Sequence, residues 1–120
     1  MNKIDTITSE ILESCLNIHA QRGLHYGDIA ENFTDIADIA TRLFSEGIII
    51  TPVDIAIVMI ATKEARYKYA AAHPLMPDRK KVMRDSLIDW INYIAIMENL
   101  RILSEENTLN KDVISESTNT

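Results

Sequence analysis

The stretch IIITPVDIAIVMIATKEAR, residues 48–66, decides the fold, because its first residues pass for a strand and the rest for a helix. Three isoleucines in a row suit a buried strand, but the chain holds no second segment with which one could pair. Thr51-Pro52-Val53-Asp54 reads instead as a helix start: a threonine cap, proline at the first position and an acid in the first turn. The spacing then predicts a helix from Pro52 to about Ala72. Its first half is apolar on nearly every face, which marks it as the central helix of the fold.

Working outward, both neighbours are helical. Ile29, Phe33, Ile36, Ala37, Ala40, Leu43 and Phe44 make one stripe of a helix from Asp28 or Ile29 to Ser45, with Gly47 as its stop. Ile4, Ile7, Ile11, Cys15 and Ile18 predict an earlier helix from Ile4 to about Ala20, ended at Arg22-Gly23. After the two prolines of HPLMPD (73–78), a fourth helix runs from Arg79 to Leu103. From Ser104 the chain turns polar, with Leu109, Val113 and Ile114 enough for one docked turn. The expectation is an all-α four-helix bundle over residues 1–103 and a polar tail over 104–120.

A chain of 120 residues forms one core without staples. Apolar residues make up 47% and charged residues 25%, and the formal charge of −6 is wrong for a long nucleic acid as partner. One cysteine, Cys15, excludes an internal disulfide and reads as a small apolar group. The N-terminus has no apolar signal core, and VDIAIVMIA (53–61) is too short to cross a membrane, so the expected location is cytoplasmic.

Charges inside the apolar helices are the functional signal. Asp85, Asp89 and Tyr93 recur at steps of four on the fourth helix, rising about 6 Å per step. Lys63 and Arg66, with Tyr67, lie on the third. A short proline loop makes these two helices antiparallel, so both charge stripes lie at similar depth and can face each other. Such a cluster either neutralises itself, as buried charges must, or lines a polar pocket between helices. The aspartates have two possible holders, a metal ion or the chain's own cations, and the cations are preferred. His19 and His73 show no metal-ligand spacing; His25, beside Tyr26 in the glycine-flanked RGLHYG, is placed to contact a ligand. No nucleophilic triad, phosphate loop or dinucleotide fingerprint is present.

RGLHYGDIAENF (22–33), ITPVDIAIVMIATKEAR (50–66) and DSLIDWINYIA (85–95) together resemble a small phage-encoded family of unknown function. Its pattern is Arg-Gly-x-x-Tyr-Gly, a following Asn-Phe, Thr/Ser-Pro-x-Asp, Lys-x-x-Arg, and Asp-x-x-x-Asp followed by Tyr. The likeness covers about residues 19–97. That family is in turn distantly similar to the MazG-like nucleotide pyrophosphohydrolases, oligomerising helical bundles that hold magnesium on paired acids. Where those enzymes carry the first acidic pair, this chain has Lys63 and Arg66, and Glu64 points away.

The resemblance therefore implies a nucleotide, and the replaced acids imply binding without hydrolysis and without a metal cofactor. Arg22, Lys63 and Arg66 would meet phosphates, with Tyr26, Phe33 and Tyr67 stacking on a base. His25, Asn32, Asp85, Asp89 and Tyr93 complete the expected site. In a phage, the role implied is capture, in the host cytoplasm, of a cyclic or modified nucleotide used as an immune signal. One alternative is a divergent magnesium-dependent pyrophosphohydrolase, with Asp85 and Asp89 as metal ligands helped by Asp54, Glu64 or Glu31. The other is a helical interaction protein with no ligand. Ile36, Ile39, Leu43, Phe44 and Ile48–Ile50 offer more apolar surface than one neighbouring helix covers, which predicts a homodimer or homotetramer.

Overall fold

The computed structural model describes residues 2–44 and 46–118, with all their side chains except those of Tyr26 and residues 108–118. It holds four helices: α1 (Lys3–Tyr26), α2 (Ile29–Leu43), α3 (Pro52–Ala72) and α4 (Arg79–Thr118). Among the described residues there is no strand, so the all-α reading holds.

The start of α3 follows its local chemistry. The Thr51 side chain accepts from the Asp54 N–H, and the Asp54 carboxylate accepts from the Thr51 N–H. Two amides with no partner inside the helix are thus satisfied reciprocally. The isoleucine run before it makes no strand ladder. Ile50 is clamped instead by Thr41 of α2, whose hydroxyl accepts from the Ile50 N–H and donates to its C=O. At the other end of α3, Arg79 donates to the carbonyls of Ala70 and Ala71, at 2.7 and 2.9 Å. One guanidinium thereby caps the end of α3 from the first residue of α4.

Two helix boundaries differ from the sequence reading. Gly23 does not end α1, which continues to Tyr26 and stops at Gly27, whose N–H bonds to the Gly23 carbonyl. Gly27 sits at φ 70°, ψ −141°, a conformation that L side chains avoid. Gly23 is an ordinary helical residue, where glycine costs up to about 1 kcal/mol relative to alanine. Gly27→Ala should therefore lose about 1–2 kcal/mol, and Gly23→Ala should be neutral or stabilising in the dilute, unassociated chain, as read by urea unfolding. Equal midpoints for the two variants would contradict this assignment. The second difference is α4, which passes Leu103 and continues to Thr118 where the sequence reading placed a polar tail. Its 40 residues, about 60 Å of helix, set the 64 Å long axis of the molecule. Leu109, Val113 and Ile114 lie outside the described side chains.

Packing shares the centre between two helices. α4 packs on both α3 and α1, α2 packs on α3, and α1 barely touches α2. The core joins Phe33, Ala56 and Leu100, with Val53, Tyr93 and Met97 packed around them. α2 and α4 cover only part of the circumference of α3, so Ile57 and Val58 stay exposed. The centre is therefore the α3–α4 pair, with α2 on the outer side of α3 and α1 on that of α4.

Candidate functional site

Arg22 on α1, Lys63 on α3 and Asp89 on α4 meet at one point. Arg22 Nη2 donates to Asp89 Oδ1 at 2.5 Å, and Lys63 Nζ stands 3.2 Å from Asp89 Oδ2. The Asp89 and Lys63 side chains are only 17% and 16% exposed and that of Arg22 31%, so this junction is largely removed from water. Two cations share a single carboxylate, which leaves one positive charge in surplus. The Arg22 guanidinium also lies 5.5 Å from the centre of the Tyr93 ring, within cation–π range. Its Nη1 is buried and has no hydrogen-bond partner.

Arg22 and Tyr93 form one end of a cleft of about 220 Å³ completed by His19, Asn32, Phe33 and Asn92, with Ile29 and Ile96. Among the described residues no acid lines it, although the chain is net negative. Phe33 and Tyr93 face each other as a tilted pair, with ring centres 6.3 Å apart. Buried Asn92 donates through Nδ2 to the Cys15 carbonyl at 3.0 Å, which fixes α4 against α1. The cleft opens into a larger groove of about 760 Å³ between α1, the start of α2 and α4; the two share His19, Ile29, Asn92 and Ile96. Such a surface suits a small ligand with an anionic end and a flat or apolar body: a guanidinium N–H to donate, aromatic faces to stack on, and amides to read polar edges.

The expected site residues divide. Arg22, Asn32, Phe33 and Tyr93 come together in the cleft, and Lys63 and Asp89 lie directly behind Arg22. Asp85 does not join them; it is on the exposed side of α4, paired with Lys81 at 2.8 Å. Arg66 is exposed too, and it is not among the partners of Asp89. Tyr67 packs against Trp90, with ring centres 6.1 Å apart, and is not among the cleft residues. His25 is exposed on the last turn of α1, and it is His19, two turns earlier, that lines the cleft. The Tyr26 side chain lies outside the described ones.

Asn92 and His19 are the residues that sequence reasoning missed. Asn92 had a signal, being an amide three residues beyond Asp89 inside an apolar stripe. Cys15 is buried against α4, and burial raises its thiol above the usual range, in keeping with a packing role.

The residues do not fit a magnesium site. Each Asp89 oxygen already faces a cation, and Asp85 lies on another face. Among the described residues no group of three or more His, Cys, Asp or Glu side chains is placed to hold a metal ion. Magnesium requires several oxygen ligands in near-octahedral geometry.

A family model described as "Domain of unknown function (DUF6378)" matches residues 10–101, a span that includes every residue of the cleft. Among curated proteins, the Gene 55 protein of Mycobacterium phage L5 is 29% identical over 89 residues, 74% of this chain. The chain spans about half the length of that relative, the matched part being 50% of it. No solved structure matches the chain. Among the described residues, no helix is long and apolar enough to cross a membrane.

Proposed function

We propose, from the premise that this chain belongs to the DUF6378 family and is related to a phage gene product, that it binds a nucleotide-class ligand without turning it over. The observation that carries this reading is the Arg22 guanidinium: surplus in charge, stacked near Tyr93, with one buried N–H group unpaired beside a cleft that has no acid among the described residues. A buried donor without a partner costs about 1–3 kcal/mol, which a phosphate oxygen would recover. Phe33 and Tyr93 would flank the base, and the Asn32 and Asn92 amides would meet its polar edges. Lys63 keeps Asp89 neutralised when Arg22 turns toward the ligand.

The finer role is sequestration: in the host cytoplasm, a phage protein of this kind would lower the free level of a nucleotide immune signal. We also propose that it acts as a homodimer or homotetramer. The exposed Ile36, Ile39, Leu43, Phe44, Ile48 and Ile49 support self-association, since a patch of this kind on a folded chain marks an interface. The MazG-like hydrolase reading has no observation in its favour, because its acids are not gathered.

Native mass spectrometry of the protein purified from expressing cells tests the function. The expected result is an intact nucleotide retained by the protein. Recovery of hydrolysis products alone would transfer the site to a hydrolase. An empty protein whose melting temperature no nucleotide raises would overturn the binding reading.

A further inference from the structure

The chain exposes 9009 Å², whereas a compact folded chain of this mass exposes about 6,600 Å². Among the described residues, no large side chain is fully buried. A standard protein–protein interface removes about 800 Å² from each partner. The surplus over a compact chain exceeds one such interface.

α1 contributes to this surplus. Residues 3–10 of this helix are exposed without exception. Helices held by so little of their length are marginal in water. Leu16, 69% exposed, and Leu12 form one wall of the groove between α1 and α4, and Leu103 part of the other. Gly23 also lines this groove, and among the described residues nothing beyond its own turns of helix lies within 4 Å of the position its Cβ would take. The chain's own packing therefore does not explain a glycine in mid-helix, whereas close approach by an outside backbone does.

We propose that the α1–α4 groove seats the same groove face of a second copy of this chain. Two α1–α4 pairs then close a four-helix bundle about a twofold axis. The groove is mainly apolar, with Asp28, Asn92 and Asn99 among its polar groups, so a second copy can cover it with a like surface, as an isologous contact requires. Because groove and cleft share His19 and Asn92, the second copy walls the open side of the cleft and helps exclude water from Arg22. This inference rests on the self-association proposed above, for which the α2 face is the rival surface.

Light scattering at micromolar concentration separates the two. The wild type should run at twice 13.6 kDa or more. Leu16→Arg and Gly23→Leu should each halve that mass with helicity unchanged by circular dichroism. Wild-type mass in both variants, with Leu43→Arg lowering it, would overturn the α1–α4 contact and leave self-association standing. A wild-type monomer would overturn both. Variants that keep their mass and lose nucleotide binding would hand the groove to the ligand and also sink the contact. Hydrogen exchange on the unaltered protein gives an answer that needs no variant: α1 amide protection should rise with concentration, and a concentration-independent rate counts against the seat.

Discussion

Asp89→Ala should melt about 10 °C below the unaltered protein, a loss of about 3 kcal/mol. The variant removes the one carboxylate shared by Arg22 and Lys63 and leaves both cations at the junction of three helices. Arg22 already has one nitrogen without a partner, so the substitution strands a second part of the same group. Removing one partner of a shielded ion pair costs far more than the pair contributes, because the remaining charge must be hydrated or moved. Asp85→Ala is the contrast: it breaks an exposed pair with Lys81 and should stay within about 0.5 kcal/mol of the parent. Calorimetry on both variants decides. Equal melting temperatures would show that Asp89 is no more structural than Asp85.

Arg22→Ala should weaken nucleotide binding at least a hundred-fold, about 2.8 kcal/mol, while Arg66→Ala changes it less than about threefold. The probe is whichever nucleotide raises the melting temperature most, titrated by calorimetry. Arg22 presents a planar fork to the cleft, whereas Arg66 lies outside it. Lys63 continues to hold Asp89 in the Arg22 variant, so the fold survives and the loss reads on the ligand. Arg22→Lys keeps the charge without the fork and should recover only part of the affinity. A metal chelator should leave the affinity unchanged. Wild-type affinity in Arg22→Ala would remove Arg22 from the site, and complete loss in chelator would overturn the metal-free reading.

Local chemistry was legible in the sequence and rotation was not. Thr51, Pro52 and Asp54 define the start of α3 because all their partners lie within one turn. The pairing of Lys63 with Asp89 also followed from depth along two antiparallel helices. Which residues accompany them depends on how each helix is turned about its axis, and spacing does not fix that. Lys63 and Arg66 differ by about 60° around α3, enough to bury the first and expose the second. Arg22 joined Asp89 because α1 runs on through Gly23, a glycine that reads as a stop. The extension of α4 past Leu103 lacks an apolar stripe, so its periodicity gave no signal. Asn92 and His19 entered the cleft only once α1 was placed against α4.

The junction at Asp89 also sets a timetable for the newborn chain. Arg22 and Asp89 are 67 residues apart, so α1 is complete well before its partner has been made. At about 5–20 residues per second, that interval is about 3–13 s. The α3–α4 hairpin has no such delay, because Arg79 caps α3 within nine residues of Ala70. Throughout its wait, α1 holds its leucines and isoleucines where a neighbouring nascent chain on the same message can reach them. If copies pair as proposed above, a segment that must idle with its apolar side uncovered favours partners translated nearby, and that pairing would begin before either chain has closed its own bundle.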